Sequence, residues 1–372
     1  MRGSVKKLGS SWSYRVDLPV DVDGRRRQRM RRGFPTRKAA EEALREFLGH
    51  LDRGGDPFND QTTFAQYAAG WAKHHQTQVE ASTWKQYEAI LRVHLVPALG
   101  GMRLTKIRPA HIQTALDGID RSPRTIQHCR ALLSRMFRQA VAWSLIPSNP
   151  VAATSAPKAE KPDLDVPDAE GAKALMDAAV GTRWELPTLL AAYTGARRGE
   201  VLAIQWDQVD LDRRRIRITR SVERLNGDFR FKEPKTKRGQ REVAIPPFVV
   251  ERLRRWKVGQ LERQLAAGPA WHDVGLVCDD GGGGPVNPDA FTRALKRFAR
   301  KVGHPDTRLH DLRHAAATLM MEAGVHPSVV SRSLGHASEA FTMSVYGHPS
   351  NEMLDQAADA LGEAYRNVIT NE

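Results

Sequence analysis

Three short stretches near the C-terminus carry residue types that can do chemistry together: His310-Asp311-Leu312-Arg313-His314, Leu334-Gly335-His336 and Tyr346-Gly347-His348. Arginine presents a planar fork of donors that matches phosphate oxygens and keeps its charge. Histidine can donate to a phosphate oxygen or move a proton near neutral pH. Tyrosine is a covalent nucleophile once a neighbour helps its phenol, whose free pKa is about 10. An arginine, two histidines and a tyrosine focused on one point suit transesterification at a phosphodiester.

Those residues need elements to position them. Leu312, Ala315, Ala316, Leu319 and Met320 recur at helical spacing and make one apolar face. His310 and Arg313, three apart, then share the opposite face. The helix should stop near Gly324, with Pro327 beyond it. A second short helix over Val329, Val330 and Leu334 should be capped by Gly335, with His336 next and Tyr346 ten residues later. A lone His-x-x-Arg on a polar helix face is usually solvated, and a lone tyrosine usually packs. The signal is their order and spacing together. In that order the sequence resembles the tyrosine recombinase (phage integrase) family, whose C-terminal motifs are His-x-x-Arg, Leu-Gly-His and a tyrosine just beyond.

The resemblance extends upstream. Thr194-Gly195-Ala196-Arg197-Arg198-Gly199-Glu200 is similar to the family's Thr-Gly-x-Arg-x-x-Glu. Its register puts the first catalytic arginine on Arg197 rather than the adjacent Arg198, and gives Glu200 an orienting role. Leu186 to Tyr193 before it is an apolar helical run, and Val201, Leu202, Ile204 and Trp206 after it form another buried run. Ile216 and Ile218 alternate with arginines in a strand, Asn226-Gly227 marks a hairpin turn, and Val243 and Ile245 lie in a later strand. Between them comes Pro234-Lys235-Thr236, where the resemblance selects Lys235; Lys232 and Lys237 are rivals by position alone. Pro247 to Ala267 should be a long amphipathic helix, Gly281 to Gly284 a flexible turn, and residues 288–302 a basic helix with Phe291, Leu295 and Phe298 inward. The glycine run is no phosphate-cradling loop, since no Gly-Lys-Ser/Thr follows. Met353, Ala357, Leu361 and Tyr365 form a last apolar stripe.

The totals agree with a polyanionic partner. The 372 residues carry 57 Lys and Arg against 43 Asp and Glu, a net charge of +14. No apolar run approaches the ~20 residues of a membrane span, and no signal-peptide core opens the chain. With only Cys129 and Cys278, neither a disulfide framework nor a cysteine-based zinc site is expected, and a reducing cytoplasm fits.

Four stretches divide the chain. Residues 1–55 read as a small basic sheet, three-stranded, backed by one helix. Trp12, Tyr14, Val16 and Leu18 alternate as in a half-buried strand; Asp23-Gly24 is a turn signal; Thr36 can cap the helix. Residues 1–38 hold twelve Lys and Arg against three Asp. Arg25, Arg26, Arg27, Arg29, Arg31 and Arg32 are the candidates for DNA contact, since a basic β-ribbon can enter a groove. Residues 62–147 read as four helices, with Thr63 and Gln66 at capping-box spacing and Pro109 and Pro123 at helix starts. Their aromatics should be core rather than a base-stacking platform. Arg124, Arg130, Arg135 and Arg138 lie off the apolar stripe, where they can meet DNA backbone. Residues 148–167, rich in proline, should be an extended linker, and 168–372 a mainly helical domain with a small sheet.

The fold class expected is therefore multidomain and mainly α with small β-sheets. The resemblance implies an arm-binding sheet, a SAM-like helical core-binding domain and a tyrosine-recombinase catalytic domain. It implies a site-specific DNA recombinase of the integrase kind that works through a 3′-phosphotyrosyl intermediate. Tyr346 would be the nucleophile, Arg197 and Arg313 the phosphate clamp, and Lys235 the general acid. His310 would be base or donor, and His336 a phosphate donor. No cofactor or metal is expected. The implied partners are double-stranded DNA at core and arm sites, three further protomers in a homotetramer, and DNA-bending and directionality factors; no membrane is implied. Other classes consistent with the charge are a non-catalytic DNA-binding regulator and a type IB topoisomerase or telomere resolvase. A metal-dependent nuclease fits less well, because the clustered histidines lack nearby carboxylates other than Asp311.

Overall fold

A computed structural model describes residues 3–18, 27–52, 61–159, 166–234, 239–335, 339–346, 355, 358–359 and 361–363. The chain divides into two compact units, Met1–Lys161 and Pro162–Glu372.

The first unit begins with an antiparallel sheet in the order β1-β2-β3: β1 (Gly3–Leu8), β2 (Ser11–Leu18) and β3 (Arg27–Phe34). Strand alternation puts Tyr14, Val16 and Leu18 on one face, where they are buried with Leu44 of α1 (Arg37–Asp52). Thr36 starts that helix by accepting from the Ala39 amide at 3.2 Å. The expected three strands and one helix are present. The Asp23-Gly24 turn lies outside the described residues.

A helical bundle follows: α2 (Phe64–His75), α3 (Ala81–Ile90), a π turn (Leu91–Leu95) running into α4 (Val96–Leu99), α5 (Pro109–Asp117) and α6 (Pro123–Ala142). The expected four helices are present, the second interrupted. Pro97 near the start of α4 has no amide hydrogen to donate, and the π turn before it resets the ladder. Thr63 and Gln66 form a true capping box, at 3.3 and 3.0 Å. Phe64, Tyr67, Trp71 and Phe137 are buried in the core, so these aromatics have no face left for bases.

Residues 148–167 do not run extended throughout. Pro150–Ala153 form a 3-10 turn that buries Val151 completely. The fixed φ of proline suits the first position of a helical turn, so Pro150 can start one once the carbonyls find partners. Here Arg130 donates to the Thr154 carbonyl from Nε and Nη2, at 3.2 and 2.8 Å, and Asn149 caps the Val151 amide at 3.0 Å.

The second unit opens with α7 (Ala169–Ala179), capped by Asp168, then α8 (Glu185–Thr194) and the single turn α9 (Arg198–Val201). Five strands come next: β4 (Val209–Asp210), β5 (Arg215–Ile218), β6 (Ser221–Leu225), β7 (Asp228–Lys232) and β8 (Arg241–Ala244). They make a β4-β5-β8 sheet and a separate β6-β7 hairpin. Asn226 and Gly227 turn that hairpin with φ of 55° and 101°, the left-handed pair that the two-residue loop needs. The helices α10 (Pro247–Ala267), α11 (Pro288–Lys301), α12 (Leu309–Glu322), α13 (Pro327–Leu334) and α14 (Glu339–Tyr346) complete the unit. Its core joins Leu186, Leu190, Val201, Ile204, Ile216, Ile218, Phe291 and Leu312.

Two expectations need revision here. The first turns of α10 bury Val249, Val250 and Leu253, but Val258, Leu261 and Leu265 further along are exposed, so its apolar residues do not gather on one buried side. The Gly281–Gly284 turn is tied down rather than flexible. Asp279 accepts the Gly281 amide at 2.7 Å, and Asp280 accepts those of Gly282 and Gly284 at 2.9 and 3.0 Å. Leu361 of the last stripe is exposed; Met353, Ala357 and Tyr365 lie outside the described residues. Among the described residues no helix is long and apolar enough to cross a membrane, and no histidine, cysteine or carboxylate group could hold a metal ion.

Candidate active site

The site is built round the end of α8. Thr194 is buried; its hydroxyl donates back to the Leu190 carbonyl at 2.6 Å and accepts the Ala196 amide at 3.2 Å. Gly195 then takes the left-handed conformation, φ 57°, and stops the helix. A β-carbon at Gly195 would stand 2.3 Å from Leu334 Cδ2 of α13, so glycine serves both the turn and the close approach of that helix.

Arg197 follows as the N-cap of α9. Its backbone amide and its Nη1 both donate to Glu200, each at 2.9 Å, while half of the side chain stays in solvent. Arg198, the rival by sequence, is engaged elsewhere: its Nη1 donates to Asp289 at 2.9 Å and to Thr292 at 2.8 Å. Gly199 lets α9 lie on β6, because a β-carbon there would meet the Val222 carbonyl at 2.5 Å. Glu200 is buried. Burial alone would raise its pKa, but hydrogen bonds and charge from Arg241, with Arg197 adding to them, hold it below the usual carboxylate range.

The helix α12 brings the other cations. Arg308 caps it: its backbone amide donates to Asp311 at 2.7 Å, and its Nε and Nη2 grip the same carboxylate at 3.1 and 3.0 Å. This fixes the first turn, on which His310 sits. Arg313 is 3% exposed, so it does not share a solvated face with His310, as helical spacing suggested. Instead it turns inward and donates from Nη1 to the Gly195 carbonyl at 2.8 Å. The rings of His310 and His314 meet edge to face at 4.9 Å. Desolvation of the His310 imidazole, then the charges of His314, Arg313 and Arg197, pull its pKa down to about 4. His310 is therefore neutral at physiological pH, able to accept a proton or donate one hydrogen bond. Arg197, His310 and Arg313 thus come together beside one turn.

Tyr346 is the last residue of α14, which packs against α12 and α13. Its side chain, and Lys235 and His336, lie outside the described residues, though Gly335 just before His336 caps α13 in the left-handed conformation, φ 70°. Of the lysines near Lys235, Lys232 is paired with Glu223 across the hairpin at 2.6 Å, and Lys237 is also outside the described residues.

Among the basic residues of the first unit, Arg25 and Arg26 lie outside the described residues, and Arg27 is placed by its backbone alone. The register pairs Arg29 with Val16 and Arg31 with Tyr14, so both sit on the helix-covered face. Arg29 stacks over Phe47 at 5.1 Å and Arg31 over Phe34 at 5.8 Å. Arg32 belongs to the other, open face with Met30, whose partner across the strands is Arg15. Arg124 is exposed on the first turn of α6, whereas Arg130 holds the 150–154 turn.

Sequence reasoning missed Arg241. One signal was present: an arginine at the inward position of a strand, two residues before the buried Val243. It also missed the capping role of Asp311, because a carboxylate among histidines reads first as a metal ligand.

Comparisons with known proteins extend over the chain. A model of the phage integrase family matches residues 167–353, one of the integrase N-terminal SAM-like domain matches 63–119, and one of an arm DNA-binding domain matches 4–51. A tyrosine recombinase XerC-like protein of Caldanaerobacter subterraneus subsp. tengcongensis is 26% identical over 95% of this chain and 96% of its own. The fold is similar to that of the Tn1549 transposon integrase in complex with a circular intermediate DNA, at TM-score 0.67 and 17% identity, covering 81% of this chain and 100% of that one. It is also similar to a lambda integrase in a tetramer bound to a Holliday junction, at TM-score 0.60 and 18% identity, covering 94% and 96%.

Proposed function

Because the chain belongs to the phage integrase family, we propose that it cuts and rejoins DNA at specific sites through a 3′-phosphotyrosyl intermediate, integrating or excising a phage or mobile element. The observation that carries this reading is the meeting of Arg197, His310 and Arg313 at the Gly195 turn.

In the cleavage step the Tyr346 oxygen attacks the scissile phosphorus. The new phenolic O–P bond forms as the bond to the 5′-oxygen breaks. Neutral His310 takes the phenol proton, and Lys235 gives a proton to the departing 5′-oxygen. Arg197, half in solvent, and Arg313, anchored from behind by the Gly195 carbonyl, face the non-bridging oxygens, with His336 as a further donor. They stabilise charge that grows in the transition state, so their value is greatest there. Rejoining reverses the step: a 5′-hydroxyl attacks the phosphotyrosine and releases the phenol. The phosphodiester energy is kept in the covalent link, and no nucleotide is spent.

Double-stranded DNA is the partner at two kinds of site. The basic sheet takes arm sequences and the helical bundle and second unit take the core. The lambda integrase tetramer on its Holliday junction supports a homotetramer on paired sites. The test is covalent capture on a nicked duplex whose cut end diffuses away. Tyr346→Phe should abolish the adduct and Tyr365→Phe should leave it; an adduct that persists without Tyr346 overturns the assignment.

A further inference from the structure

Arg241 stands on β8, where strand alternation turns it inward. Its side chain is 2% exposed and that of Glu200 5%, so the pair is almost out of water. Its donors run three ways: Nη2 to Glu200 Oε2 at 2.8 Å, Nε to the Ser333 carbonyl at 2.7 Å, and Nη1 to the Gly239 carbonyl at 3.3 Å. Each acceptor belongs to a segment with a group assigned to the chemistry. Glu200 holds Arg197. Ser333, in the last turn of α13, precedes His336 by three residues, and Gly239 follows Lys235 by four.

We propose that Arg241 is a positioning residue for strand transfer: one buried guanidinium ties the Arg197 turn, the approach to His336 and the connection bearing Lys235 into a single frame. The inference rests on the strand-transferase reading above. Two physical consequences follow from this geometry. Glu200 is shared by two arginines, and only Arg241 is buried with it. One carboxylate between two guanidiniums leaves a net positive charge on the cluster, and Arg197, half in solvent, is the member that can offer it to a phosphate. The other two acceptors are uncharged carbonyls, that of Ser333 from 92 residues along the chain and that of Gly239 from the connection just before β8, and a planar fork can meet all three at once. A lysine keeps the charge but cannot make the fork.

The test uses the full-length protein and a nicked duplex whose sequence the wild-type protein itself selects, by covalent capture, from a randomised library. A matched duplex carries sulfur at the bridging 5′ position, where the thiolate leaves without needing a proton. Arg241→Lys should bind the ordinary duplex within about threefold of wild type and form the adduct on the order of 10- to 100-fold more slowly, as loss of an outer orienting partner does. On the sulfur duplex its deficit should shrink about tenfold, because a misplaced Lys235 no longer matters there. A merely structural defect slows both duplexes alike. Equal slowing on both, or a wild-type rate on the ordinary duplex, overturns the proposal. The double variant Glu200→Gln with Arg241→Met removes both buried charges and keeps the fold testable. It should show the same dependence on the leaving group, and wild-type cleavage by it also overturns the proposal. Wild-type protein that captures no duplex overturns this inference together with the function it rests on. Capture by wild type with indifferent variants overturns this inference alone.

Discussion

Arg313 donates to the carbonyl of Gly195 at 2.8 Å, across 118 residues of chain. The two residues belong to the motifs that carry the two arginines proposed as the phosphate clamp. Gly195 stands two positions before Arg197, so the bond sets the second arginine against the turn that presents the first. It also explains why a guanidinium only 3% exposed is tolerated: its charge is met in part by a carbonyl aimed at it.

Arg313→Lys should therefore fail in two ways. A lysine cannot hold the Gly195 carbonyl and reach a phosphate together. Loss of one transition-state donor costs on the order of 10²- to 10³-fold in rate. Single-turnover adduct formation should fall by that much while the dissociation constant for DNA changes far less. Unfolding should also cost less, by about 1–3 kcal/mol, for the carbonyl left without its partner. Equal losses in binding and in rate would place Arg313 in ground-state affinity instead.

The pH response turns on His310. Its folded pKa, about 4, lies below the ordinary value of 6.5, so between those values the unfolded chain binds more protons than the folded one. The stability linked to His310 is thus fully present above pH 6.5 and is lost as pH falls towards 4. His310→Gln should lose less stability than wild type across that window, as read by thermal melting. The second-order rate of cleavage, which reports the free enzyme, should show no break near 6.5 from this residue. A titration of His310 by NMR near its ordinary value would refute the lowered pKa.

Gly195 and Leu334 should be energetically coupled. Gly195→Ala forces a side chain into the left-handed region and within 2.3 Å of Leu334 Cδ2. Strain of roughly 1–2 kcal/mol and overpacking of about 1–3 kcal/mol should add. Leu334→Ala alone, at a fully buried site, should cost about 2–5 kcal/mol. The double variant should cost clearly less than the sum, because the smaller residue makes room for the new methyl group. Strict additivity in a denaturation cycle would mean that α13 does not press on the turn.

How much of this was legible in the sequence follows from the range of each interaction. The caps at Thr36 and Thr63, the Asn226-Gly227 turn and the glycine ends of α12 and α13 are local, so residue type and spacing were enough to read them. Arg197, His310 and Arg313 were readable as motif members, and Glu200 as the residue that orients Arg197. Their partners were not readable. The inward turn of Arg313, the diversion of Arg198 to Asp289 and the ties of Arg241 to Glu200 and Ser333 each join segments far apart in the chain, and helical or strand periodicity is silent on those. The 148–167 stretch misled for the same reason: proline content spoke for an open chain, while Arg130 supplied the partners that folded part of it.

The basic sheet of the first unit makes the last prediction. A run of arginines reads as one patch, yet the register splits it between two faces. Arg29 and Arg31 stand on the face of Val16 and Tyr14, each over an aromatic ring. Arg15 and Arg32 stand with Lys6 on the face opposite the one that packs on α1. Arg32→Ala and Arg15→Ala should weaken binding to an arm-site duplex and lower the salt slope of log K by about 0.9 for each phosphate no longer neutralised. Arg29→Ala should act mainly on stability, costing about 0.5–1 kcal/mol for the missing attraction to the ring, and change the salt slope by less. If Arg29→Ala lowered the slope as much as Arg32→Ala did, DNA would have to reach the helix-covered rim, and the open face would not be the binding surface.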